Sequence, residues 1–423
     1  MLNLLFSTLL VSAAPLPSVL SMEEAVRRFR TSGFDLLIAQ AQADSAAADV
    51  RTAGAVANPQ ITGTVGRALN YPTTVAGCPG CSPWLYGAAL SDQAILSDLL
   101  FGKRQLRLGV ARAAFAAARL QRDDALRTLT QAVKEAYVQT ATTQDSVVLL
   151  QAQLEVSKQM EQVVETRYKA GAVSEADLAR AQTAELEAEQ TLDEATQAAR
   201  TAQVGLAFAI GQRGEIGAFT VEDGFLKNAL ATVPDTQTVI SAALDRRPDV
   251  RAAAELRRRA DIALQAAHRS LVPDLQLQLA YTQQGSGTNA LQPPTFSGSL
   301  TLPLPIFYQY QGEAAKARAD QSQQQAAYDK AHEQVIADVE TAISALRLSR
   351  SRVDRMRTRL LERATRARDL VLLQYQKGAA SLLELLDAQR TLSGVNAEYL
   401  QSLNEYWSAV FQLEAAQASE LAS

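Results

Sequence analysis

The chain has 423 residues, with 41 Lys and Arg against 45 Asp and Glu and a formal net charge of −4. Apolar residues make up 47% but aromatics only 6%, which favours long Ala- and Leu-rich helices over a thick aromatic core. The balanced charge leaves no electrostatic footprint for nucleic acid, and two histidines, two cysteines and four methionines are too few for a multi-metal or disulfide-rich protein.

In chain order, residues 1–13 read as a signal peptide. Leu2–Val11 is a short apolar core, and Val11-Ser12-Ala13 is a cleavage pattern before Ala14. The run is far below the ~20 residues a spanning helix needs, so the expectation is an exported protein with no helical span. Residues 14–211 form a first unit. A helix-like run at about 22–57 ends near Pro59, strand-like runs follow at 61–69 and 86–96, and Lys103–Lys169 contains no proline and a single glycine, Gly109. As one helix that run would extend about 100 Å. A turn near Gly171 leads into another long helix. Residues 212–236, with Gly214, Gly217 and Gly224, read as a linker.

Residues 237–418 repeat the order, leaving a tail at 419–423. A helix-like run at 249–271 ends near Pro273, and strands are expected at 275–283 and 296–304. Here alternation is clean: Leu275, Leu277, Leu279 and Tyr281 against Gln276, Gln278 and Ala280, then Phe296, Gly298, Leu300 and Leu302 against Ser297, Ser299 and Thr301. Period two gives one apolar and one polar face. After a turn near Gly378, Leu382, Leu385, Gln389, Leu392, Asn396, Tyr399, Leu403, Tyr406, Val410 and Leu413 follow a 3,4 spacing, a coiled-coil seam with Gln389 and Asn396 as polar register markers.

The repetition is also literal. Tyr168-Lys-Ala-Gly-Ala-Val-Ser174 recurs as Tyr375-Gln-Lys-Gly-Ala-Ala-Ser381, and Gln182 and Gln389 sit eight residues past each serine. Leu100-Phe101 matches Ile306-Phe307, and Pro59 matches Pro273. Three markers in one order indicate a duplication of about 200 residues. Four strands cannot close a membrane barrel, the smallest of which has eight, and an open sheet in hydrocarbon leaves its edges unsatisfied. Several chains must therefore pool their strands if these enter a membrane. An all-helical scaffold coiled coil would explain the heptads but not the strands.

Four stretches carry a family resemblance: Leu302-Pro-Leu-Pro-Ile-Phe307, Leu100-Phe-Gly-Lys-Arg104, Arg246-Arg-Pro-Asp-Val250, and the Tyr-x-x-Gly tips at Tyr168 and Tyr375. Together they resemble the TolC-like outer-membrane efflux family over essentially the whole mature length. Leu302–Gly312 with Asn58-Pro59 is most similar to the heavy-metal-cation (cobalt–zinc–cadmium) branch. The resemblance implies a mainly α fold with a small β part. Duplicated helical hairpins would form a trimeric periplasmic α-barrel, and four strands per chain would contribute to a shared 12-stranded outer-membrane β-barrel. It implies a homotrimer in outer-membrane lipid with its helices in the periplasm, docked to a periplasmic adaptor and an inner-membrane pump. It implies no catalysis, no cofactor and no nucleic acid, and makes the linker a collar around the tube.

Glu384 and Asp387, at i and i+3 after Gly378, share a helical face. They match the family's acidic rings at the constricted end, where six carboxylates near a three-fold axis would attract cations and raise some of their own pKa values. Asp177 and Arg180 hold the equivalent places, their opposite charges expected to pair with neighbouring helices. The family archetype has an arginine where this chain has Ala380, so the resemblance does not carry over a lock pairing that arginine to Asp177. Tyr168 and Tyr375 are expected either to hold the closed tips by hydrogen bonds or to pack as half-buried residues. Gly171, Ala172, Val173 and Ser174, with Gly378, Ala379, Ala380 and Ser381, are expected to dock the adaptor. Cys78 and Cys81 form a C-x-x-C in the first inter-strand loop, read as a small disulfide loop in preference to a metal site. His268 and His332 are read as isolated surface residues.

The function implied is the exit duct of a tripartite efflux system serving a resistance–nodulation–division type pump and exporting heavy-metal cations. Alternatives are drugs or other organic toxicants as cargo, or a periplasmic coiled-coil adaptor or scaffold without a pore.

Overall fold

A computed structural model describes residues 16–67, 69, 83–92, 95–285 and 292–419. The signal peptide expected over 1–13, and Cys78 and Cys81, lie outside the described residues. In chain order the elements are β1 (Val19–Leu20), α1 (Met22–Ser32), α2 (Phe34–Gly54), β2 (Gln60–Arg67), β3 (Trp84–Ser91), α3 (Ile95–Leu100), α4 (Lys103–Lys169), α5 (Glu175–Ala209), β4 (Thr220–Val221), a 3₁₀ turn (Gly224–Lys227), α6 (Thr236–Arg246), α7 (Pro248–Arg269), β5 (Gln276–Gln284), β6 (Gln292–Thr301), α8 (Gln311–Arg355), a π turn (Met356–Leu360), α9 (Leu361–Gln376) and α10 (Leu382–Ala416).

Two expectations need correction. The helical run at 22–57 is two helices broken at Gly33. A Cβ there would lie 2.5 Å from the Phe29 ring, and ψ of 123° takes the chain out of the helix. The strand expected to reach Leu96 stops at Ser91 because Asp92 caps α3, its carboxylate accepting from Ile95 N at 2.6 Å and Leu96 N at 3.1 Å. A carboxylate at the start of a helix satisfies N–H groups that have no partner inside it.

One compact unit comprises residues 41–121 and 249–331. It holds an antiparallel sheet in the order β2-β3-β5-β6. Lys103 Nζ meets Asp274 Oδ1 at 2.6 Å, and Arg107 reaches Asp98 at 2.8 Å. The duplication shows in the backbone as well. Gly102 and Tyr310, each one residue before a long helix, both adopt left-handed φ, +68° and +56°, a conformation glycine takes freely and tyrosine seldom does.

The other unit comprises residues 1–40, 122–248 and 332–423. Its interior is Ala-, Val- and Leu-rich with a few aromatics, among them Phe29, Tyr137 and Tyr406. β1 and β4 pair in parallel, Val19 with Thr220 and Leu20 with Val221. Tyr137 ties α4 to both: its hydroxyl donates to Leu20 O at 2.8 Å and accepts from Glu222 N at 3.0 Å. Burial pushes the phenol pKa up to about 12. Along α10 the expected seam is buried at Leu382, Leu385, Leu392, Leu403, Tyr406, Val410 and Leu413.

Candidate functional site: a two-faced sheet and a glycine-turned helical tip

Residues directly opposite one another across a strand pair share a face of the sheet. Register puts Ile61 opposite Leu90, Val65 opposite Tyr86, Leu90 opposite Leu279, Ala88 opposite Tyr281, Leu277 opposite Leu300 and Tyr281 opposite Phe296. One face is thus largely apolar across all four strands, with Arg67 and Gln283 on it at the end where Trp84 and Tyr86 lie. The other carries Thr62, Thr64, Ser91, Gln276, Gln278, Thr282, Ser297 and Ser299. The apolar side chains are uncovered within the chain, Ile61 being 80% and Phe296 83% exposed. The outer edges of β2 and β6 have no strand partner among the described residues. Exposed apolar surface of this extent, with two open edges, marks a contact with a membrane or with further protein.

The two helical tips are built alike. At the first, Ala172 N donates to Arg167 O at 2.9 Å and Gly171 N to Tyr168 O at 2.8 Å; at the second, Ala379 N donates to Gln374 O at 2.8 Å and Gly378 N to Tyr375 O at 3.1 Å. With φ of +71° at Gly171 and +76° at Gly378, both are Schellman turns, which need a left-handed residue. Three residues on, the next helix opens with a capping box: Ser174 with Asp177, and Ser381 with Glu384.

That box defines the expected constriction residues. Ser381 N and Oγ donate to Glu384 Oε2 at 2.7 and 3.0 Å, while Glu384 N donates to Ser381 Oγ at 3.3 Å. These bonds hold the Glu384 carboxyl below its ordinary range within the single chain. The bond from the Ser174 side chain lowers Asp177 in the same way. Within the chain, Asp177 and Arg180 pair with each other at 3.2 Å. Asp387 is exposed and makes no hydrogen bond or ion pair among the described residues.

Behind the turns lies a small core of Val164, Ala181, Tyr375, Leu382 and Leu385, with Val173 and Ala380 packed against it. The two tyrosines part company here. Tyr375 is 7% exposed, with Arg167 over its ring at 4.9 Å and a buried hydroxyl that has no hydrogen-bond partner among the described residues. Tyr168 is 39% exposed. Gly171, Ala172, Ser174, Gly378, Ala379 and Ser381 are exposed, and a Cβ at either glycine would meet nothing within 4 Å. His332 lies beside Glu333 at 3.3 Å, and His268 is in the last turn of α7. No group of three or more metal-ligating side chains forms among the described residues.

Glu384 and Asp387 line a groove of about 350 Å³ between α9 and α10, walled by Ala364, Ala367, Ala388 and Thr391. A second groove of about 380 Å³, where the end of α8, the π turn and the start of α9 face α10, is lined by Arg352, Arg355, Arg359, Arg363, Leu360 and Glu398. Sequence reasoning missed both the capping boxes and these arginines. Ser-x-x-Asp and Ser-x-x-Glu carried the first signal, and arginines spaced 3, 4 and 4 along one helical face carried the second.

No described helix is long and apolar enough to cross a membrane. A sheet apolar on one face and polar on the other, open at both edges, together with glycine-turned helical hairpins, is the make-up of a subunit of an outer-membrane channel. The sequence profile described as Outer membrane efflux protein matches residues 26–212 and 239–419, and the chain belongs to that family. It is 26% identical to the pyoverdine export outer membrane protein OpmQ of Pseudomonas aeruginosa, over 88% of this chain and 79% of that protein. It is 25% identical to the cobalt-zinc-cadmium resistance protein CzcC of Cupriavidus metallidurans, over 93% and 89%. The crystal structure of the outer membrane protein VceC from Vibrio cholerae shares the fold at TM-score 0.75 and 18% identity, covering 95% of this chain and 97% of that one. Family members are channels rather than enzymes; they sit in the outer membrane with their helical part in the periplasm and work as trimers with an adaptor and an inner-membrane pump.

Proposed function

We propose that this chain is the exit duct of a tripartite efflux system, three copies pooling β2, β3, β5 and β6 into one 12-stranded barrel in outer-membrane lipid. The observation that carries this reading is the two-faced sheet: its apolar face suits lipid, its polar face suits a water-filled lumen, and its open edges suit the next copy. Residues 212–236 form the collar. Gly171–Ser174 and Gly378–Ser381 meet the adaptor, whose binding shifts a closed–open equilibrium of the tip helices. Glu384, Asp387, Asp177 and Arg180 line the constriction. Tyr168, whose ring is accessible, serves the closed tip, whereas Tyr375 acts from within the tip core.

The cargo has two readings. Heavy-metal cations delivered by a resistance–nodulation–division type pump are supported by the Leu302–Gly312 stretch and the relation to CzcC. Organic compounds are supported by the relation to OpmQ and by the arginine-lined groove.

In planar bilayers, Glu384→Ala with Asp387→Ala should lower cation preference; unchanged selectivity would remove both from the constriction. A deletion strain challenged with zinc, cobalt, cadmium and copper salts beside dyes and antibiotics separates the cargoes. Sensitivity to organic toxicants alone would overturn the metal reading.

A further inference from the structure

The arginine groove is a continuation of the acidic one. On α10, Asp387, Thr391 and Glu398 recur at spacings of four and seven; on the facing helix, Arg359, Arg363, Ala367 and Val371 recur at four. Both sets therefore keep to one helical face. The eleven residues from Asp387 to Glu398 put the two groove segments about 16 Å apart along the axis.

Most of these arginines are not balanced by neighbours among the described residues. Arg352 alone is paired, reaching Glu398 at 3.1 Å and Glu405 at 2.8 Å. Arg355, Arg359 and Arg363 are exposed and make no hydrogen bond or ion pair among the described residues. Glu398, the acidic residue lining this segment, is already taken by Arg352. Three uncompensated guanidinium groups therefore face one groove.

The backbone is also special at this point. Met356–Leu360 is a π turn inside an otherwise α-helical run. The buried stripe Val353, Met356 would continue at Leu360 in an α-helix, yet Leu360 is 41% exposed and the partly buried position passes to Leu361. The extra residue turns Arg359 and Leu360 outward into the groove. Inserted residues of this kind interrupt helical regularity and are frequently found at functional sites.

We infer that Arg355, Arg359 and Arg363 form an anion-attracting collar behind the acidic constriction, so that the duct favours cargo bearing carboxylate or phosphate groups over bare metal cations. The inference rests on the proposed reading that the Glu384–Asp387 groove faces the conduit. Guanidinium groups present fixed donor forks matched to such oxyanions. With three chains the collar carries nine uncompensated positive charges, and a ring of fixed charge within a pore sets ion preference.

The test uses the reconstituted full-length trimer in planar bilayers, with reversal potentials under a KCl gradient and citrate as a blocking probe. Arg355→Gln/Arg359→Gln/Arg363→Gln should lower chloride-to-potassium permeability about threefold or more and require roughly tenfold more citrate for half block, while the triple Lys variant keeps both close to wild type. If the triple Gln variant behaves as wild type while Glu384→Gln/Asp387→Gln changes selectivity, the collar is refuted and the conduit reading stands. If neither alters selectivity, the groove does not face the conduit and both fall. If the triple Gln variant loses its trimer, the arginines seal a contact between copies, and the collar is likewise refuted.

Discussion

At the residue scale the tips rest on two serines. Ser174 and Ser381 each close a capping box, and replacing such a cap by alanine costs about 1 kcal/mol of helix stability. Ser174→Ala and Ser381→Ala should therefore speed amide exchange in the first turns of α5 and α10 while leaving the rest of both helices protected. The same caps give a pH dependence. Because the folded pKa values of Asp177 and Glu384 lie below their ordinary range, each carboxylate stabilises its helix start above that range, and the contribution is lost as pH falls through the lowered value. Protection at the tips, taken relative to the intrinsic exchange rate at each pH, should fall on acidification below about pH 4; a flat protection profile would remove the carboxylates from the caps.

Tyr375 makes a separate case. Its hydroxyl is buried with no partner among the described residues, so Tyr375→Phe removes none of the described hydrogen bonds and relieves a desolvated group. Thermal stability of the trimer should stay within about 1 kcal/mol of wild type or rise. A larger loss would mean that a neighbouring copy supplies a partner. The sequence places tyrosine at both tips but cannot distinguish them, since their difference comes from what packs on each ring: Val164, Leu382 and Arg167 for Tyr375.

At the scale of elements, β5 and β6 were legible because Leu, Tyr and Phe alternate with Gln and Ser. β2 and β3 were less so, because Gly63, Gly66, Gly87, Ala88 and Ala89 dilute the contrast between faces, and the apolar face emerges only once register joins them to β5. The break at Gly33 and the π turn were not legible. The first depends on where the Phe29 ring lies, and the second depends on which stripe finds a core, neither of which periodicity reports. The sheet makes its own prediction. Leu279→Arg, on the apolar face, should cost about 2–4 kcal/mol if it sits near the bilayer midplane, and Gln278→Arg, one residue away on the polar face, far less. Folding yield into lipid vesicles measures both, and equal yields would remove the assignment of faces.

At the scale of the whole molecule, the duplication was the strongest signal in the sequence, and the structure repeats it in detail. The same Schellman turn and capping box recur 207 residues apart (168 to 375), and Gly102 and Tyr310 share a left-handed turn before their helices. Cargo was not legible at this scale, because the family motifs report the duct and the groove residues lie outside them. What the account depends on is that β2 of one copy pairs with β6 of another. With Cys78 and Cys81 replaced by serine, cysteine pairs introduced across Thr62 or Thr64 and Ser297 or Ser299 should oxidise to a ladder ending in a covalent trimer. A folded protein that yields only cross-links within one chain, or none at any register, would contradict the shared barrel.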